Sequence, residues 1–338
     1  MESQLFTTRN FALEGGDVLP SLSLAYTTYG RRAANGRNVV LVTHGYTSSH
    51  RMVEAGGGAG SWEPLVGPGK AIDTDKVFVI SSNVLGSSYG STSPASINPK
   101  TGKPYGPDFP RITVGDIVSA QKAMLDSLGV RHLVAVAGPS YGGYQAFEWA
   151  VRFPDFVDGI VPAVTSPKDL GGPAATGRLL EQLGRDPNWN GGWYYDKGGV
   201  RTAMTAYRVN VLKFYGIEAQ LAARYPDAAA REAAVVEMAR PWVEAFDANS
   251  LVVLRRALET FDTTPLFHRI KARVLYVLSR TDKLFPPALA PDVMAKLKAA
   301  GVEARYVEID SDLGHLASGL DGHKWAPELA SFMRGLLS

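Results

Sequence analysis

Cysteine is absent from the 338-residue chain, which excludes disulfides, thiolate metal sites and a cysteine nucleophile. An excess of charge is also missing. The 35 Lys and Arg residues nearly balance the 33 Asp and Glu residues and leave a formal net charge of +2. This balance gives no electrostatic reason to expect nucleic acid or an acidic membrane as a partner.

Long apolar runs are missing as well. No segment approaches the roughly 20 apolar residues of a membrane-spanning helix, so we expect no membrane association. The first residues, Met-Glu-Ser-Gln-Leu, lack the basic start and the apolar run of a secretory signal. The apolar content of 45% is ordinary for a globular protein. We therefore expect a cytoplasmic enzyme.

One stretch of the chain predicts a catalytic serine. An apolar run at 134–137 leads into Gly-Pro-Ser-Tyr-Gly at 138–142, and a helix-like pattern follows at once. Between a strand and a helix, Gly-x-Ser-x-Gly sets its serine on a sharp, strained turn. Gly138 and Gly142 provide the room for the chain to fold back, and the free N–H groups of the helix start favour negative charge beside Ser140. The alternative is a Gly/Ser turn without chemistry, and residues further along the chain decide between the two.

Other apolar runs predict a parallel sheet covered by helices. They do not alternate with polar residues, as expected for strands buried on both faces. Besides the run before Ser140, the predicted elements are a hairpin within 10–30, strands at 38–43, 77–80, 157–164, 273–278 and 302–309, and a helix at 113–128. Alternating buried strands and helices predict a doubly wound α/β fold whose ligands bind at the carboxyl ends of the strands.

A short Gly-rich run at 56–60 lacks the spacing of a phosphate-binding loop. We expect a flexible loop there.

The strand signal disappears after residue 166 and returns after residue 265. The segment holds a Gly- and Trp-rich loop at 186–193 and Ala-rich helical patterns at 221–240 and 250–260. A separate helical domain is the alternative, but the C-terminal part could not form a core alone. We predict a core domain of residues 1–166 and 266–338, with residues 167–265 inserted as a helical cap over the strand ends.

The partners of the serine should follow it in the order Asp or Glu, then His. Asp282 comes just after the strand at 273–278, so its carboxylate should reach the same edge as Ser140, although an isolated aspartate there would also suit a turn. His315 follows the last predicted strand, on a loop after a glycine. His323 is the other histidine beyond Asp282, at the start of the final helix, where a histidine is usually solvated. We predict Ser140 as nucleophile, His315 as base and Asp282 as the group that orients the imidazole.

An oxyanion formed at the serine needs two backbone N–H donors. One should belong to Tyr141, directly after the nucleophile, and the other to the His-Gly-Tyr loop at 44–46, at Tyr46. Together these parts predict an α/β-hydrolase fold, mostly a parallel doubly wound sheet with an inserted helical cap, that works through an acyl-enzyme. Nothing in the sequence supports a metal site.

Several motifs resemble the homoserine O-acetyltransferase family of α/β-hydrolases, and they span nearly the whole chain. They lie at residues 24–30, 44–50, 65–75, 83–86, 89–96, 98–102, 105–110, 186–192, 246–250 and 282–286. The resemblance implies a triad of Ser140, Asp282 and His315, a helical cap that often dimerises, and acyl-enzyme chemistry that uses acetyl-CoA.

The chain departs from this family at the nucleophile and after the base. Family members usually carry Gly-Gly-Ser-Met-Gly-Gly, whereas residues 138–143 read Gly-Pro-Ser-Tyr-Gly-Gly. An acidic residue, associated with the homoserine amine, follows the catalytic histidine in the family. Leu316 stands at that position here.

A third departure is in the cap. The family has an arginine there, proposed for the substrate carboxylate, several residues before a Thr-Tyr pair. With that pair aligned on residues 206–207, the position of the arginine is Val200, and Arg201 is one step away. We expect Tyr46, Arg201, Tyr207 and Leu316 to contact substrate.

These departures bear on the acceptor of the acyl group. Homoserine is zwitterionic and needs two charge partners in a desolvated pocket, because an unpaired charge there is costly. We therefore expect a hydrolase of a small ester or thioester, with no bound cofactor. The alternative is an acetyl-CoA-dependent O-acetyltransferase acting on homoserine or another small hydroxylated acceptor. A third candidate, a non-catalytic binding protein on this fold, would have no reason to keep every catalytic part in order.

The expected partners follow from the same observations. We expect a small-molecule acyl substrate and, from the resemblance, a homodimer formed through the cap.

Overall fold

The computed structural model describes residues 2–56 and 61–338. Residues 57–60, most of the predicted Gly-rich loop, lie outside this range. Within it the strands are β1 Gln4–Ala12, β2 Val18–Tyr29, β3 Val39–Thr43, β4 Val66–Gly67, β5 Ile72–Asp73, β6 Phe78–Ser82, β7 Ile97–Asn98, β8 Lys103–Pro104, β9 Leu133–Pro139, β10 Val157–Ala163, β11 Arg273–Ser279 and β12 Ala304–Ile309.

Eight of these strands form one sheet in the order β1-β2-β6-β3-β9-β10-β11-β12. The pairs β1–β2 and β2–β6 are antiparallel, and every pair from β6 to β12 is parallel. The remaining strands form two small two-stranded sheets. The predicted hairpin and the mostly parallel sheet are therefore confirmed.

Helices cover both faces of the sheet. Their bounds are α1 Val114–Ser127, α2 Tyr141–Arg152, α3 Gly172–Gly184, α4 Arg201–Phe214, α5 Ile217–Leu221, α6 Ala228–Ala245, α7 Ala248–Arg256, α8 Ala290–Ala299, α9 Ala317–Leu320 and α10 Ala326–Leu337. Helices α1, α2 and α8 pack on one face and α10 on the other.

The burial of β3 shows why its sequence has no polar alternation. All five of its residues are buried. Val39 and Leu41 point into one apolar core, and Val40 and Val42 into the core on the opposite face. A strand between two helical layers needs apolar residues at every position.

The segment between β10 and β11 is mainly helical over the described residues, but two of its helices were not predicted. Helices α3 and α4 lie outside the predicted helical patterns. The predicted helix at 221–240 is also displaced, because Pro226 precedes the Asp227 cap of α6, which then runs on to Ala245.

The two ends of this segment lie side by side. Lys168 and Asp262 form an antiparallel bridge, and the N–H of Thr263 donates to the carbonyl of Pro167 at 3.0 Å. An insertion into a core needs its ends to meet in this way. We keep residues 167–265 as the proposed cap, a name used below for this segment.

Within residues 2–56 and 61–338, every helix is too short or too polar to cross a bilayer. The same residues hold no cluster of His, Asp and Glu side chains that could bind a metal ion.

Candidate active site

Ser140 stands on the turn between β9 and α2 with φ 55° and ψ −118°, a conformation that is strained for a residue other than glycine. The turn packs tightly on β3. A Cβ atom on Gly138 would lie 2.2 Å from the carbonyl oxygen of Thr43, and one on Gly142 would lie 2.4 Å from the same oxygen. A residue with a Cβ atom does not fit at either position, so both must be glycine, as the sequence predicted.

Asp282 and His315 form a buried pair. Asp282 Oδ2 lies 2.8 Å from His315 Nδ1, and neither side chain is more than 6% exposed. The other oxygen, Oδ1, accepts hydrogen bonds from the N–H groups of Leu284 at 2.8 Å and Phe285 at 3.2 Å. These two N–H donors hold the carboxylate against Nδ1 of His315. Nδ1 then carries the proton of the neutral ring, and Nε2 is the basic nitrogen.

The loop that carries the histidine packs against the cap. Gly314 has φ 55°, and a Cβ there would lie 2.9 Å from the carbonyl oxygen of Tyr215. The ring centroid of Tyr215 is 4.5 Å from that of His315. Burial raises the pKa of Tyr215 to about 12, so the phenol is neutral beside the imidazole.

Two cavities meet at Ser140. The small cavity, about 40 Å³, is lined by Ser140 and His315 together with Tyr46, Tyr215 and Leu316. The structure thus brings the predicted nucleophile and base to one space.

The large cavity, about 340 Å³, shares Ser140 with the small one and is lined by aromatic side chains and by Asp169, Arg178 and Arg255. Asp169 is bound by both terminal nitrogens of Arg255, with Nη1 2.9 Å from Oδ1.

The loop at 44–48, here called the oxyanion loop, lies directly beside the nucleophile. A Cβ on Gly45 would be 3.9 Å from Cβ of Ser140. Tyr46 stacks on Tyr141 with ring centroids 5.8 Å apart. Tyr141 is the first residue of α2, so its N–H has no partner within the helix. Both residues predicted to supply the donors therefore line the large cavity together with Ser140.

The chain matches the α/β hydrolase fold family over residues 38–321. It is 36% identical to the homoserine O-acetyltransferase of Moorella thermoacetica, over 96% of this chain and 93% of that protein. The chain belongs to the homoserine O-acetyltransferase-like family of α/β-hydrolases. This membership makes it an enzyme that acts on small molecules, in a family for which the Ser–His–Asp triad is typical.

Two solved structures are similar to this α/β-hydrolase over nearly its whole length. Esterase E22 superposes with a TM-score of 0.88 at 28% identity and covers 98% of this chain and 99% of its own. The homoserine O-acetyltransferase from Bacillus anthracis has a TM-score of 0.88 at 26% identity and covers 98% and 97%.

Only some of the predicted substrate residues line the cavities at Ser140. Tyr46 lines both cavities, and Leu316 lines the small one. Tyr207 lines an adjoining cleft of about 520 Å³ that shares Tyr46 with them, but it does not line either cavity at Ser140. Arg201 is exposed in the first turn of α4 and lines none of these three spaces.

The alternative base, His323, is exposed in a short turn before α10. The structure does not bring it to the cavities of Ser140, whose linings include His315 instead.

The oxyanion loop is held by side chains that the sequence did not predict. Nε2 of His44 lies 2.8 Å from Oδ1 of Asn83. Arg208 Nη1 donates to Thr47 Oγ1 at 2.8 Å, and Trp242 Nε1 donates to the carbonyl of Thr47 at 3.0 Å. Arg208 is only 8% exposed and stacks on Trp242. One sequence signal could have found Arg208: it lies four residues from both Met204 and Leu212, which are buried on the same face of α4.

We expect the stability of this protein to fall below pH 6.5 because of two buried histidines. Burial lowers the pKa of His44, and it lowers the pKa of His50 to about 4. The unfolded chain takes up protons near pH 6.5, so below that value it binds more protons than the folded state and gains stability relative to it. The free energy of unfolding should decrease from pH 6.5 towards pH 4 by at most ~1.4 kcal/mol per pH unit for each histidine.

Urea unfolding at pH 7.0 and pH 5.0 measures this dependence. His50→Gln should reduce it, and the same change at the exposed His268 should not. An equal free energy of unfolding at both pH values for the unmodified chain would contradict the lowered pKa values of these two histidines.

Proposed function

We propose that this enzyme transfers an acyl group through a covalent ester on Ser140 and that water is its acceptor. His315 Nε2 takes the proton of Ser140 Oγ as the oxygen attacks the carbonyl carbon of an ester or thioester. Asp282 holds the imidazole and stabilises its cationic form. The N–H groups of Tyr46 and Tyr141 donate to the tetrahedral oxyanion.

The leaving alcohol or thiol departs with the proton from His315, and the acyl-enzyme remains. Water then gives a proton to His315 and attacks the acyl carbon. The second tetrahedral intermediate collapses, Ser140 recovers the proton, and the carboxylic acid is released.

The main support for water as the acceptor is the apolar environment of Leu316, the residue after the base. It is 3% exposed and packs into the apolar cluster of the cap formed by Val209, Leu212, Ile217, Val235 and Ala239. Among the described residues that line the two cavities at Ser140, Asp169 is the one acid, and Arg255 binds it. A homoserine amine bound there would lose its hydration without pairing to a free carboxylate. The free energy lost by desolvation would exceed the free energy gained by binding.

Support for hydrolysis also comes from the similarity to a solved esterase.

The second candidate is acetyl-CoA-dependent O-acetyl transfer to homoserine or another small hydroxylated acceptor. The comparisons support this reaction more directly than hydrolysis, because the relative at 36% identity is named a homoserine O-acetyltransferase. Arg178 also supports it, since it is exposed on the wall that the large cavity shares with the adjoining cleft. The phosphates of acetyl-CoA, here a substrate and acyl donor, need such a cation.

Supplying acetyl-CoA or 4-nitrophenyl acetate with and without homoserine decides between the acceptors. We expect acyl release that is independent of homoserine, with acetate as the product. Leu316→Asp should supply the missing charge and raise the ratio of O-acetylhomoserine to acetate by about tenfold, the effect of one charge-assisted hydrogen bond. Leu316→Asn, of the same shape without the charge, is the matched control.

Acyl release that requires homoserine in the unmodified enzyme would refute hydrolysis and establish the transferase. An equal product ratio in Leu316→Asp and Leu316→Asn would show that the charge at this position does not select the acceptor. Mass spectrometry of the intact protein detects the acyl adduct in either case.

We also propose a homodimer formed through the cap and a cytoplasmic location. Exposed apolar side chains on the cap, Phe214 on α4 and Val236 and Met238 on α6, support the dimer because burying them in an interface would be favourable.

A further inference from the structure

Both residues proposed to form the oxyanion hole are tyrosines, and both hydroxyls bond to the same helix. The hydroxyl of Tyr46 donates to the carbonyl oxygen of Leu251. The hydroxyl of Tyr141 donates to the carbonyl oxygen of Leu254 at 3.2 Å. Both acceptors belong to α7 of the cap, which lies more than 100 residues further along the chain.

Helix α7 is a rigid support for these two contacts. Seven of its nine residues are buried. Asp247 caps its N-terminus by accepting from the N–H of Ser250, and the hydroxyl of Tyr194 donates to the same carboxylate at 2.6 Å. The carbonyl of Leu254 lies in the last turn of α7, where carbonyls lack helical partners, so Tyr141 satisfies a group that would otherwise be unpaired.

The tyrosines transmit the position of α7 to the reacting centre. Both residues line the large cavity together with Ser140, and both hydroxyls bond to α7, so each ring is a strut of fixed length between the cavity and the helix. The rings also stack on each other at 29°, which links the two donors. Burial raises the pKa of both phenols well above the usual range, so both remain hydrogen-bond donors at neutral pH.

We propose that the hydroxyls of Tyr46 and Tyr141 are positioning groups that set the oxyanion hole by anchoring its two donors to helix α7 of the cap. The inference rests on the proposed acyl-transfer function. Tyrosine at 141, where family members usually carry methionine, supplies one of these anchors. Oxyanion donors act only when they are held in place before the reaction, so a loosened donor should cost rate and leave substrate binding almost unchanged.

The test is the removal of each hydroxyl with its ring retained, in Tyr46→Phe and Tyr141→Phe. We expect each change to lower kcat for 4-nitrophenyl acetate about tenfold, with KM within twofold. The affinity for a trifluoromethyl ketone, which forms a charged tetrahedral adduct with the serine, should fall by a similar factor. The affinity for the corresponding uncharged alcohol should not change.

Tyr29→Phe is the matched control. Its hydroxyl lies 3.1 Å from Thr27 Oγ1 on β2, outside the linings of the cavities at Ser140, and its loss should leave kcat unchanged. The burst of nitrophenol counts active sites, so kcat refers to folded enzyme even where a variant is less stable.

An unchanged kcat in both variants, or a rise in KM alone, would overturn the proposal, because the hydroxyls would then be structural or in contact with substrate. A failure of the proposed function looks different. In that case the unmodified enzyme forms neither the acyl-enzyme nor the ketone adduct.

Discussion

Ser140→Ala should reduce kcat by about 10⁴–10⁶-fold and abolish the acyl adduct seen by intact-mass spectrometry. The substitution removes the oxygen that is proposed to attack the substrate and leaves the other side chains of the cavities in place. Substrate affinity should therefore stay close to that of the unmodified enzyme. Ser81→Ala is the matched control, because Ser81 is fully buried on β6 and its hydroxyl has no hydrogen-bond partner among the described residues.

The same measurement tests the other two members of the triad. Asp282→Asn should lower kcat by about 10⁴-fold, because the amide stabilises the wrong tautomer of the imidazole. His315→Ala should resemble Ser140→Ala, since residues that act as a unit are not additive. Full activity in His315→Ala together with loss in His323→Ala would assign the base to the other histidine.

Gly142→Ala should destabilise the fold by about 3 kcal/mol or more, the range of severe overpacking. The added Cβ would lie 2.4 Å from the carbonyl oxygen of Thr43, and neither the helix start nor the central strand can move away cheaply. The backbone of Gly142 does not have positive φ, so the effect is purely one of space.

Urea unfolding of Gly142→Ala beside Gly177→Ala checks this expectation. Gly177 lies inside α3 with no atom within 4 Å of an added Cβ, so alanine there should stabilise the chain by ~0.5–1 kcal/mol. A free energy of unfolding for Gly142→Ala within 1 kcal/mol of the unmodified chain would contradict the steric argument.

The sheet and the turn at Ser140 were predictable because their physics is local in sequence. Strand β3 needs apolar residues at every position, and the turn at Ser140 needs glycine on both sides, so each leaves a pattern that short windows detect. The cap leaves no such pattern. Helix α3 begins with Gly172 and Pro173 and buries only three of its residues, so its stability comes from contacts with other elements.

The substrate residues were harder to predict because the exact start of α4 decides which side chains are buried. Val200 precedes the helix and is 3% exposed, whereas Arg201, its first residue, faces solvent. A single step of sequence therefore separates a side chain inside the fold from one outside it, and residue type alone does not reveal which is which. Arg208 illustrates the reverse case, a buried cation in the same helix.

The close contact between Gly314 and the carbonyl of Tyr215 restricts how substrate can enter. Gly216 meets Leu313 in the same place, at 3.0 Å for an added Cβ. An outward movement of the junction of α4 and α5 would therefore remove a contact that supports the loop of the base. We expect reactants to enter instead through the cleft between α3 and α4, which Arg178 and Asn210 line beside Tyr46. Entry there would leave the packing around His315 unchanged from one turnover to the next.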